Sequence, residues 1–128
     1  MSKIKIGIIG ASGYTGLELV RILSYHPLAD IKSITSESYA GKKFSDIHPQ
    51  LKGIADNILQ PATAVNNVSL DVIFLALPHG VSMNFVKNFT GNKVKIIDLS
   101  ADFRISSADT YEQWYKTTHT YPQGLPDA

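Results

Sequence analysis

The stretch GIIGASGYTG, Gly7 to Gly16, carries glycines at Gly10, Gly13 and Gly16, a G-x-x-G-x-x-G run. Residues of this type and spacing can hold a pyrophosphate. That group concentrates negative charge and needs unpaired backbone N–H groups close by, which the first turn of a helix supplies together with its dipole. Glycine removes the Cβ atoms that would keep the backbone away, and it permits positive φ. Ser12 and Thr15 add hydroxyls able to donate to phosphate oxygens. The competing reading is a glycine-rich strand-to-helix turn that holds nothing.

Three further polar groups follow apolar runs. Thr35-Ser36-Glu37-Ser38, with Lys42-Lys43 behind it, stands where a dinucleotide site places its ribose contacts. NAD sites usually carry an acidic residue there, ~20 residues past the glycines. The hydroxyls and lysines suit a 2′-phosphate and hence NADP, whereas an inward-facing Glu37 would favour a free ribose hydroxyl and NAD. Leu77-Pro78-His79-Gly80 forms a turn whose His79 is either a ligand contact or proton donor, or a helix cap facing solvent. In Ser100-Ala101-Asp102-Phe103-Arg104, Asp102 and Arg104 form either a structural ion pair or a substrate contact.

These groups need elements to position them. Ile4–Ile9 (IKIGII) reads as a buried strand, and Leu17, Val20 and Leu23 recur at helical spacing from Tyr14 to Tyr25, with Leu19 and Ile22 widening the stripe. His26-Pro27 stops that helix, because a residue before proline is pushed out of helical geometry. Ile31–Thr35, Asp71–Leu77 and Val94–Leu99 read as strands, and Val81–Phe89 as a helix with Val81, Phe85, Val86 and Phe89 on one face. Asp109-Thr-Tyr-Glu112 resembles a capping box opening a short helix through Tyr115. Ser38 to Gln60 reads as mixed and irregular. Strands alternating with helices predict an α/β fold: a Rossmann-like, doubly wound, mostly parallel sheet with flanking helices. The glycine run then falls between the strand and the helix of a first βαβ unit, as a phosphate-binding turn requires.

Composition limits the function classes. A chain of 128 residues fits one domain, and a net charge of +1 gives no electrostatic case for nucleic acid or an anionic membrane. No apolar run approaches the ~20 residues of a membrane span. Met1-Ser2-Lys3 passes straight into a strand-like run with no signal peptide, which makes the cytoplasm the expected compartment. Cysteine is absent, so disulfides, thiolate metal sites and a cysteine nucleophile are excluded within these residues, and no metal is expected.

GASGYTGLEL (Gly10–Leu19), FLALPHG (Phe74–Gly80), DLSADFR (Asp98–Arg104) and YPQGLPD (Tyr121–Asp127) together resemble the N-acetyl-gamma-glutamyl-phosphate reductase family. Ala40-Gly41-Lys42 and His48-Pro49-Gln50-Leu51 are secondary matches. The resemblance implies that residues 1–128 are the NADP-binding domain of an oxidoreductase that reduces an acyl phosphate to a semialdehyde in arginine biosynthesis, an amino-acid pathway. It implies a pyrophosphate on Ser12, Gly13, Tyr14, Thr15 and Gly16, a 2′-phosphate near Ser36 and Ser38, and a nicotinamide flanked by Pro78, His79, Gly80 and Ser100. The nucleophilic cysteine and acid/base histidine of such enzymes are expected in a following catalytic and dimerisation domain of a homo-oligomer. Two other readings stay open: the matching domain of an aspartate-semialdehyde dehydrogenase, and a non-catalytic NADP-binding module.

Overall fold

A computed structural model of the chain describes residues 2–11, 13–67, 69–78, 80–89, 93–100, 102–104, 107–115 and 118–125, the side chains of 66 and 67 excepted. The element order is β1 (Ile4–Ile9), α1 (Tyr14–Ser24), β2 (Ala29–Ile34), α2 (Phe44–Ile47), β3 (Val72–Leu75), α3 (Ser82–Asn88), β4 (Lys95–Asp98) and α4 (Ala108–Tyr115), with short 3₁₀ turns at Pro49–Leu51, Ala62–Asn67 and Pro122–Gly124. The strands form one sheet in the order β2-β1-β3-β4, every pair parallel. From β1 the chain moves outward to β2 and then crosses back to β3 on the other side. That reversal is the topological switch point beyond which parallel sheets of this type open a crevice.

Period-2 alternation divides the apolar residues between the two faces. Ile6 and Ile8 of β1, Ile34 of β2 and Phe74 of β3 meet α1 through Val20, Leu17 and Leu23. Ile9, Ile73 and Leu75 point the other way and pack with Val65, Leu70 and the α3 residues Phe85 and Val86. The sheet is therefore covered on both faces, and the α/β, Rossmann-like expectation holds. The helical stripe of α1 is narrower than expected: Ile22 is 53% exposed.

The stretch from Ser38 to Gln60, expected to be irregular, belongs to the core. Phe44, Leu51, Ala55 and Leu59 are buried in the same cluster as β1 and α1. Backbone bonds hold it there: Ser36 N–H donates to the Gln60 carbonyl (2.9 Å), Gln60 N–H to Ile34 (3.0 Å) and Phe44 N–H to Asn57 (2.8 Å). The buried residues follow no 2.0 or 3.6 period, because the chain reaches the core as a compact excursion rather than as a long element.

The helix-start signal also shifts. α4 begins at Ala108, where Ser107 accepts Thr110 N–H on its Oγ (3.4 Å) and Tyr111 N–H on its carbonyl (3.0 Å). Ser107, not Asp109, thus occupies the cap position, and Asp109 contributes its charge to the first turn.

Because Phe44 has no exposed surface, Phe44→Ala should lower the unfolding free energy by about 3–5 kcal/mol. Urea unfolding measures this; a loss under about 1 kcal/mol would return the segment to the surface-loop class.

Candidate functional site

The three glycines of the first turn do three different things. Gly10 ends β1 with φ 81°, and a Cβ there would lie 2.6 Å from Leu77 Cδ2 and 3.0 Å from the Ala76 carbonyl. Only glycine lets this turn bend against the end of β3. Gly13 is the N-cap of α1 with an ordinary φ of −87°, and a Cβ there would meet nothing within 4 Å. Gly16 is buried in the first turn of α1, where a Cβ would collide with the backbone of Ala11. So the first glycine turns, the second leaves open space at the helix start, and the third seats the helix on the loop. Gly13 needs no glycine for its own conformation.

The end of β2 fixes this loop. Thr35 accepts Gly10 N–H on Oγ1 (3.1 Å) and Ala11 N–H on its carbonyl (2.9 Å), while its own N–H donates to Ile8 (2.9 Å). The sequence offered Thr35 as part of a ribose tip; its buried hydroxyl instead clamps the glycine turn. Among the described residues no side chain caps α1, and its first turn holds no acidic residue, so the positive end of the helix faces outward between Gly13 and the exposed Tyr14 and Thr15. Ser12 lies outside the described residues.

Beyond Thr35, Ser36 is buried and its Oγ accepts Tyr39 N–H (3.2 Å), whereas Ser38 is exposed. Glu37 is engaged elsewhere: its Oε1 accepts Ala62 N–H (2.8 Å) at the start of the Ala62–Asn67 turn. Lys42 Nζ lies 5.7 Å from the centre of the Tyr39 ring. A cleft of ≈ 320 Å³ opens between Glu37, Ala62 and Thr63 on one side and Leu77, Val81 and Asn84 on the other. Its largely apolar walls suit a flat heteroaromatic ring.

The turn after β3 carries exposed Pro78 and partly buried Gly80, the latter at φ 85°; His79 lies outside the described residues. What holds this turn is Asp102, which has no exposed surface. Its carboxylate accepts Gly80 N–H on both oxygens (2.8 and 3.1 Å), Met83 N–H (2.8 Å) and the Tyr111 hydroxyl (2.7 Å). Burial first, and then the bond to Asp102, push the Tyr111 phenol well above its ordinary range. The Asp102 carbonyl accepts His119 Nε2–H (2.6 Å), a tautomer fixed because Nδ1 accepts Tyr121 N–H (3.1 Å). Asp102 is therefore no ion-pair partner of Arg104, whose Nη2 donates to the Ser100 carbonyl (3.5 Å) instead.

Ser100 is knitted into the same loop. Its N–H and hydroxyl donate to Asp98 (2.9 and 3.0 Å), and its Oγ accepts Asp102 N–H (3.2 Å). A second cleft, of ≈ 550 Å³, lies beside it, walled by Asp98, Phe103, Arg104 and Tyr121. Gly10, Gly13, Tyr14, Thr15, Gly16, Ser36, Pro78 and Gly80 thus gather at the carboxyl end of the sheet, with Ser100 one loop away. Sequence reading missed Thr35 as a clamp, the Glu37 cap and the Asp102–Tyr111 bond, the last two linking residues 25 and 9 positions apart.

The chain matches the family described as semialdehyde dehydrogenase, NAD binding domain, over residues 5–127. It belongs to that family. A semialdehyde dehydrogenase-type NAD-binding domain explains why the turns gather around an uncapped helix start. The chain is 46% identical to the N-acetyl-gamma-glutamyl-phosphate reductase of Methanosphaera stadtmanae, over 99% of this chain and 38% of that protein. It is 44% identical to the [LysW]-L-2-aminoadipate/[LysW]-L-glutamate phosphate reductase of Saccharolobus solfataricus, over 98% of this chain and 36% of that one. The chain therefore spans less than two fifths of the length of these curated relatives. An aspartate semialdehyde dehydrogenase with NADP from Candida albicans shares the fold, with a TM-score of 0.70 over 84% of this chain and 32% of that one, at 24% identity.

The glycine geometry makes a paired prediction. Gly16→Ala should cost about 2 kcal/mol or more of stability through overpacking against Ala11, whereas Gly13→Val should leave stability within about 0.5 kcal/mol. Equal unfolding midpoints for the two variants would contradict these assignments.

Proposed function

We propose that this domain binds NADP(H) and serves as the cofactor half of a cytoplasmic, homo-oligomeric reductase that converts N-acetyl-gamma-glutamyl phosphate to N-acetylglutamate semialdehyde in arginine biosynthesis. The observation that carries the reading is the uncapped start of α1 at the sheet's switch point, with open space at Gly13 where a Cβ would stand. The fit to a pyrophosphate follows from this cradle: free N–H groups and the helix dipole meet a compact dianion. On this reading Gly13, Tyr14, Thr15 and Gly16, with Ser12, hold the pyrophosphate. The apolar cleft along Leu77 and Val81 takes the adenine, and Pro78, His79, Gly80 and Ser100 flank the nicotinamide.

The preference for NADP rests on Glu37. Its carboxylate is committed to Ala62 N–H, which leaves Ser36, Ser38 and the nearby Lys42 to meet the ribose. A dianionic 2′-phosphate gains from hydroxyl and ammonium donors, and a turned-away carboxylate does not repel it. Once bound, the cofactor supplies hydride; every other task falls to side chains. Arg104, at the rim of the larger cleft, is placed to meet an anionic group of the substrate. The Ser100 hydroxyl is committed to Asp98 and Asp102 N–H and serves structure, not attack on an acyl carbon.

Displacing phosphate from an acyl carbon calls for a nucleophile that is also a good leaving group, the role of a thiolate. This sequence contains no cysteine. The thiolate and the acid/base histidine are assigned to the remainder of the longer reductase. A carrier-bound acyl group is the second reading for the substrate, favoured by the 44% identity to the LysW-dependent reductase.

Titration with both reduced cofactors tests the binding half: NADPH should bind at least about tenfold more tightly than NADH, the worth of one or two charge-assisted hydrogen bonds. Equal or tighter NADH binding would contradict the assignment of Glu37. Gly13→Val should abolish NADPH binding in a folded protein. The catalytic half is tested in reverse, with semialdehyde, phosphate and NADP: the chain alone should give no NADPH, and turnover above a blank lacking the chain would place catalysis within these residues.

A further inference from the structure

Asp102 lines neither of the two clefts. A fully buried carboxylate is costly unless its oxygens are satisfied. Here the oxygens meet four donor contacts from three elements: Gly80 N–H twice, Met83 N–H in the first turn of α3, and the hydroxyl of Tyr111 in α4. Tyr111 is itself fully buried and rests against His119 with ring centres 4.9 Å apart. On its other side, Asp102 N–H donates to Ser100 Oγ, next to the loop that carries Arg104.

We propose that Asp102 is a positioning residue that registers the Pro78–Gly80 turn, at the nicotinamide end of the cofactor, against the Ser100–Arg104 loop at the rim of the larger cleft. The inference rests on the cofactor reading above and deepens it. Gly80, at φ 85°, directs its N–H to the buried Asp102 carboxylate, and a partly buried backbone N–H needs such an acceptor. Asp102 is that acceptor, and its reach across 22 residues makes the position of one loop depend on the other. The adenosine end of the site depends on different contacts: Thr35 on the glycine turn and Glu37 on Ala62. Loss of Asp102 should therefore disturb one end of the cofactor and spare the other.

That asymmetry gives a test with two ligands. NADPH spans both ends, whereas 2′,5′-ADP carries the adenosine and its 2′-phosphate but no nicotinamide. Asp102→Asn keeps the shape and removes the charge and one acceptor. It should weaken NADPH by about tenfold, the worth of a hydrogen bond to a charged group, and 2′,5′-ADP by less than about twofold. Tyr111→Phe removes one donor and leaves a buried ring in place, so it decides the matter if Asp102→Asn does not fold. It should cost NADPH about threefold and 2′,5′-ADP nothing measurable. Equal losses for the two ligands, or no loss for either, overturn the proposal while leaving the cofactor reading intact. Failure of the unsubstituted chain to bind NADPH overturns that reading and this inference with it.

Discussion

The close seat of α1 on the glycine turn governs the rest of the site. Gly16 rests on the backbone of Ala11, and the Ala11 N–H is bonded to the Thr35 carbonyl at the end of β2. Thr35 also takes the Gly10 N–H on its hydroxyl, so β2 grips the turn at two successive residues. The helix axis is thereby aimed by the sheet itself. A side chain at position 16 would lift the first turn and separate its N–H groups from the crevice. Val20, Leu17 and Leu23 then lock the far side of the helix onto Ile6 and Ile8. Packing at one end and backbone bonding at the other fix the start of α1 on the sheet, with no side-chain cap among the described residues. Rigid, unsatisfied donors are what an anion-binding turn requires.

Among the described residues, acidic groups around this point are few. The first turn of α1 has no acidic residue, and Glu37, beyond the end of β2, is tied to Ala62. The buried carboxylate Asp102 is shielded from the crevice by its own donors. No acidic residue in the first turn of α1 offsets the positive end of the helix, while Arg104 places a cationic group at the larger cleft.

Local signals made the first third of the chain legible. Ile4–Ile9 and Tyr14–Ser24 coincide with the expected strand and helix because a β-branched run, spaced glycines and a 3.6-residue stripe all agree there. The later strands were overextended: β3 spans Val72–Leu75 rather than Asp71–Leu77, since the chain turns away at the switch point. Phe44, Leu51 and Leu59 gave no periodic pattern because tertiary packing alone brings them inward. The glycine site was readable as a type of turn, but not the division of labour among its glycines. From sequence, Asp102 and Arg104 read as either a structural ion pair or a substrate contact. The partners of Asp102 come from the Gly80 turn, α3 and α4, and nothing local encodes that.

On the function proposed above, the start of α1 is where this domain grips its cofactor. The most direct measurement is an amide ¹⁵N–¹H spectrum of the isotope-labelled chain titrated with NADPH. The account predicts that the largest shifts fall on Gly13, Tyr14, Thr15 and Gly16, followed by Gly80. Shifts confined to the cleft around Phe103, Arg104 and Tyr121, with the α1 amides unmoved, would contradict it.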